Sequence, residues 1–161
     1  MLKIQIKARQ KQITLQLKQI DKIIAEMIAV NEGLSRKFEI LISIPGIGQA
    51  TAFSVLIEMP ELGTRTGKQA ASLAGLAPIS RQSGKWQGKE RIQGGRAFFR
   101  RAMYMPALCI IRHNLSSKQK YDQMIKSGKP AKVAITAIMR KLVVLANVLL
   151  RDDRIWAEKP T

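Results

Sequence analysis

A chain of 161 residues, 46% hydrophobic and 24% charged, has the make-up of one globular domain or of one domain with a helical extension, which excludes disorder for most of its length. Its single Cys109 excludes an internal disulfide and a cysteine-based metal site. With 28 Lys and Arg against 11 Asp and Glu, the net charge of +17 exceeds what solubility asks of a small domain and points to a polyanionic partner.

The basic N-terminus, Met1 to Arg9, is not followed by an apolar stretch or a small-residue cleavage site, so it does not read as a signal peptide. The longest apolar run, Val133 to Leu150, carries Arg140 and Lys141 at its middle, which argues against a membrane span. A cytoplasmic, nucleoid-associated protein with no membrane partner is expected, and nucleic acid is favoured over a lipid surface as the polyanion.

Ile13, Leu17, Ile20, Ile24, Met27, Leu34, Phe38 and Leu41 recur in alternating four- and three-residue steps, with Asn31 completing the series. This heptad seam predicts a coiled-coil linker helix over residues 1–41, in which a polar Asn31 sets register and partner number. The stripe favours a homo-oligomer joined through this helix; a helix docked on its own domain would bury the same residues.

The segment Leu41-Ile-Ser-Ile-Pro-Gly-Ile-Gly-Gln-Ala-Thr-Ala opens a domain expected over 42–153, with a helix stopped at Pro45 and restarted after Gly48. It suits a helix-hairpin-helix, whose glycines, Gly46 and Gly48, let the backbone approach a phosphate while the N–H groups opening the next helix point at the anion. An ordinary turn between packed helices has the same pattern. The small residues from Thr66 to Leu76 permit close helix packing beneath this hairpin, up to Pro78.

From Ile79 the glycines at 84, 88, 94 and 95 leave too little helical periodicity for a helix, which predicts a loop or a short irregular β-hairpin. Residues 81–101 hold seven basic side chains, Arg81, Lys85, Lys89, Arg91, Arg96, Arg100 and Arg101, against Glu90 alone, a local excess of +6. After Gly95 the pattern is helical through about Arg112 with a kink at Pro106, and Phe98, Ala102, Met105 and Cys109 share one face. A short helix around Ser117–Lys126 and a long core helix over Ala131–Leu150 follow, with a flexible tail over 154–161. The fold class is therefore mainly α, with one small basic loop or β-hairpin.

Two-metal nuclease chemistry needs several converging carboxylates. Between Glu61 and Asp122 the only acid is Glu90, so no metal site is expected from this chain. His113 stands alone and reads as a helix-terminal residue, while Tyr104 and Tyr121 read as packing residues. Ser83 differs, because it sits beside a glycine in the basic stretch, where Arg81, Lys85, Lys89 and Arg91 suit a phosphate. A serine attacking phosphorus needs cations more than it needs a carboxylate. The alternatives are a turn serine in a nucleic-acid-binding loop, or Ser80 in the same role.

The ordered succession Ile44-Pro-Gly-Ile-Gly-Gln-Ala-Thr-Ala, Glu58-Met-Pro-Glu-Leu-Gly, Leu73-Ala-Gly-Leu-Ala-Pro, Ser83-Gly, Ile92-Gln-Gly-Gly-Arg, Arg101-Ala-Met-Tyr-Met, Arg112-His-Asn, Gly128-Lys-Pro-Ala-Lys-Val-Ala and Met139-Arg-Lys-Leu resembles the C-terminal domain of the insertion-sequence 110/116/902 transposases. The resemblance covers about Phe38 to Asp153. It implies an RNA-guided recombinase built from a RuvC-like domain with an Asp-Glu-Asp-Asp metal site, a coiled-coil linker, and this domain with its serine nucleophile, which maps to Ser83. On that resemblance Met1 falls inside the linker. The expectation is a truncated or split DNA-binding and strand-transfer domain, inactive alone, binding no cofactor itself, with magnesium arriving only with a RuvC-like partner. DNA and a guide RNA are the implied partners; a non-catalytic protein binding DNA or structured RNA is the alternative.

Overall fold

The computed structural model describes residues 1–79, 82–83, 86–87 and 91–157, and divides the chain into two compact units, 1–36 and 37–161. In the first unit, α1 (Leu2–Ala29) runs unbroken for 28 residues because no glycine or proline interrupts it. It stops there. The Asn31 side-chain oxygen accepts a hydrogen bond from the Leu34 N–H at 3.0 Å and caps α2 (Glu32–Ser43). The single helix expected to reach Leu41 is thus two helices, and Asn31 is a helix cap, a position its short amide favours over a helix interior. Ile13, Leu17, Ile20 and Met27 of the expected seam are exposed.

The second unit is built from the end of α2, then α3 (Gln49–Glu58), α4 (Gly67–Leu73), four two-residue strands, α5 (Ala97–Ala102), α6 (Tyr104–His113), α7 (Leu115–Lys126) and α8 (Ala131–Arg151). The mainly helical expectation holds. The helix α8 is long and apolar enough to cross a membrane by length and composition. Here it is the central core element, burying Ala134, Ile138, Leu142, Val143, Ala146 and Leu149. Against it pack α4, α6 and α7.

Small residues make the α4 contact possible: Ala70, Ala71 and Ala74 are fully buried, and a side chain on Gly67 would come within 3.0 Å of Val144. Thr66 opens α4 with a reciprocal capping box to Gln69. The buried Asn147 of α8 ties down the preceding loop, accepting from the Gly63 N–H at 3.0 Å and donating to the Arg65 carbonyl at 2.7 Å.

The helical run after Gly95 is broken at Met103 rather than at Pro106. Pro106 is the third residue of α6, where a missing N–H leaves no intrahelical bond unmade. Within the segment expected to be a flexible tail, Trp156 packs against the core and its backbone N–H donates to the Ser43 hydroxyl at 2.8 Å.

Candidate nucleic-acid interface

Among the described residues the basic segment forms two short antiparallel strand pairs, called the ribbon below. Strand β1 (Pro78–Ile79) pairs with β4 (Arg91–Ile92), Pro78 opposite Ile92 and Ile79 opposite Arg91. Further along, β2 (Gln82–Ser83) pairs with β3 (Trp86–Gln87), Ser83 opposite Trp86. Ser83 is therefore the last described residue of β2, paired with the first residue of β3. Gly84 and Lys85 connect the two inner strands in sequence; Arg81, Lys85, Lys89 and Ser80 lie outside the described residues.

All four residues of β1 and β4 are exposed, so neither face of the ribbon base is packed on the core. A two-stranded ribbon is marginal by itself. What holds it is a backbone crossing between the end of α4 and the start of α5. Gly75 (φ +67°) and Gly95 (φ +63°) approach so closely that a side chain on Gly95 would overlap the Gly75 backbone and come within 2.7 Å of the Leu73 carbonyl. The Arg96 N–H donates to that same carbonyl at 3.0 Å.

Two of the expected phosphate-binding arginines strengthen this crossing. The Arg100 guanidinium donates to the Gly94 carbonyl at 2.7 Å, and the Arg96 guanidinium pairs with Glu61 while also lying 2.9 Å from the Met59 sulfur. Both side chains thus have internal partners, a role that charge counting in sequence does not reveal. Arg91 and Arg101 are exposed. The Arg101 guanidinium lies over the ring of Phe98, 4.8 Å from its centroid. The face shared by Phe98, Met105 and Cys109 is exposed, while Phe99, Met103, Ala107 and Ile110 carry the packing.

The turn after α2 has two different glycines. Gly46 (φ +90°) faces α6, where a side chain would come within 2.7 Å of the Pro106 carbonyl, so its bareness serves helix packing. Gly48 is the N-cap of α3 and has open space beside it. Since α3 packs against α5, the helix leaving this turn supports the helix that follows the ribbon.

His113 ends α6 and is exposed; Tyr121 packs against the core, whereas Tyr104 is exposed rather than packed. Among the described residues no three His, Cys, Asp or Glu side chains converge as a metal cage would require. The hydrogen bond from Arg151, at 2.8 Å, holds the Asp152 carboxyl below the usual carboxylate range. A separate groove of about 830 Å³ lies between the α6–α7 junction and α8, and Gly46, Gly48, Arg91, Arg96, Arg100 and Arg101 are not among the residues that line it.

Residues 38–123 match the family described as Transposase IS116/IS110/IS902. The pilin gene-inverting proteins of Moraxella bovis and Moraxella lacunata are each 34% identical over 84% of this chain and 44% of their own length. An insertion element IS900 42 kDa protein of Mycobacterium paratuberculosis is 32% identical over 75% of this chain and 31% of its own. The chain spans less than half the length of these relatives.

Proposed function

Because the chain belongs to the IS116/IS110/IS902 transposase family, we propose that it is a DNA-binding and strand-transfer domain of a transposase, acting on DNA in the cytoplasm. The observation that carries the reading is the match over residues 38–123, which spans the turn at Gly46 and Gly48, the whole ribbon and the helices that anchor it. Two relatives are named for inverting a pilin gene, and inverting a DNA segment requires strands to be broken and rejoined.

In this reading the Ser83 hydroxyl attacks a phosphodiester; an Oγ–P bond forms as one sugar oxygen leaves. Lys85, Lys89 and Arg91 offset the charge on the transferring phosphoryl group. Gly48 and the N–H groups opening α3 hold a backbone phosphate, with Gly46 shaping the turn. Arg81 and Arg101 grip neighbouring phosphates, and Arg96 and Arg100 add to them only with donors that Glu61 and Gly94 leave open. The acids among the described residues do not converge, so no step is routed through a metal held by them. Magnesium belongs with a RuvC-like partner domain, and a guide RNA selects the DNA. The exposed apolar residues of α1 join copies of the chain into a homo-oligomer.

The test is a denaturing gel that looks for protein-linked DNA after the chain is supplied with a RuvC-like domain, magnesium and guide RNA. An adduct lost in Ser83→Ala supports the assignment. Survival in Ser83→Ala with loss in Ser80→Ala moves the nucleophile three residues upstream. An adduct that survives both removes the ribbon from the chemistry and leaves a non-catalytic grip on DNA or structured RNA.

A further inference from the structure

We propose that Phe98 and Arg101 form a stacking platform for an unpaired nucleotide at the foot of the ribbon. The proposal rests on the nucleic-acid reading above and names the form of nucleic acid that this surface takes. It starts from two adjacent phenylalanines on α5 with opposite fates: Phe99 is fully buried, whereas Phe98 is 72% exposed. Burying Phe99 anchors the helix. Nothing in the packing of the second unit calls for an aromatic ring at position 98, and exposing one to water is unfavourable.

What the ring does touch is a cation. Arg101, one turn along α5, sits 4.8 Å from the ring centroid, and among the described residues no carboxylate pairs with it. The guanidinium keeps its charge and its donors for a ligand, while the exposed part of the ring remains open. Met105, 66% exposed, and Tyr104, 43% exposed, are further exposed side chains at the start of α6. The platform is held in place as well. Arg96 and Arg100, on either side of Phe98 in sequence, are fixed to Glu61 in the loop after α3 and to the Gly94 carbonyl beside β4, so α5 is held at two points.

Charge selects the occupant. Phe98 and Arg101 belong to the segment 81–101, whose excess by sequence is +6 in a chain of net charge +17, a charge that draws phosphate and repels cationic partners. A π-face beside a planar guanidinium matches a nucleobase with its flanking phosphate, the combination by which single strands are held without reading their sequence. In a paired duplex the base faces are already stacked on their neighbours, so the platform takes an unpaired one.

The experiment uses the full chain and oligonucleotides carrying 2-aminopurine, single-stranded and as the matched duplex, in DNA and RNA versions. Fluorescence quenching reports stacking, and anisotropy reports affinity. Phe98→Ala should leave the melting temperature unchanged, weaken single-strand binding by about 5- to 150-fold and abolish quenching, while duplex affinity stays within about twofold. Phe98→Trp should retain both signals, and Arg101→Lys should keep the salt dependence but lose part of the quenching. A preference for DNA or for RNA tells whether the unpaired base belongs to a target strand or to a guide. Unchanged single-strand binding in Phe98→Ala, or an equal loss on single strands and duplex, overturns the platform while leaving the nucleic-acid reading intact. If the native chain binds neither form, that reading itself fails.

Discussion

The two longest helices, α1 and α8, are both rich in Leu and Ile and end up in opposite environments. Along α8 the apolar residues come in adjacent pairs at every fourth position, Ala134 and Ile135, Ile138 and Met139, Leu142 and Val143, and these pairs are the buried face. Along α1, Leu2, Ile4 and Ile6, and again Ile13, Leu15 and Leu17, are two residues apart, and all six are exposed. At 3.6 residues per turn, positions two apart point about 200° away from each other, so this series spreads apolar side chains beyond the one face shared by Ile13, Leu17, Ile20, Ile24 and Met27. Apolar content alone therefore says little about burial; the spacing decides whether a helix folds into its own unit or presents a surface to be covered by something else.

That contrast is broken most severely from the α8 side. Leu142→Ala empties a site that is 2% exposed and should cost about 2–5 kcal/mol in denaturant-induced unfolding. A loss under about 1 kcal/mol would mean that α8 is not the element on which the unit is packed. Asn147→Ala should cost less, about 1–3 kcal/mol, because it leaves the Gly63 N–H and the Arg65 carbonyl without their shared amide. Hydrogen exchange at Gly63 should rise in that variant.

On α1 the effect on stability should be the smallest and the effect on size the largest. Changing Ile20 and Ile24 to Asp should shift the unfolding of the second unit by less than about 0.5 kcal/mol while giving a smaller species in sedimentation. A native protein that already sediments as a monomer would remove self-association through α1.

How much of this was legible in sequence follows from the range of each interaction. The apolar spacing predicts α8 over Ala131–Leu150 and the helix spans Ala131–Arg151, since a periodic apolar helix announces itself locally. The capping box in Thr66-Gly-Lys-Gln is an equally local signal. Asn31 satisfied a heptad and a helix cap at once, and the cap prevailed because its side chain finds the Leu34 N–H three residues on. The sequence leaves the ribbon as one of two options, for what stabilises it is not in the strands. Gly75 and Gly95 cross over a separation of twenty residues, and Arg96 reaches Glu61 across thirty-five. Charge counting placed Arg96 and Arg100 beside Arg91 and Arg101 as equals; only the fold separates the pair with internal partners from the pair facing solvent.

That the chain grips nucleic acid electrostatically through this basic segment is tested most directly by titrating duplex DNA binding with salt. If about six phosphates are neutralised, log affinity should fall against log salt with a slope of roughly -5, and Arg91→Ala and Arg101→Ala should each flatten it by about one. An affinity that stays constant from low to moderate ionic strength would contradict the account.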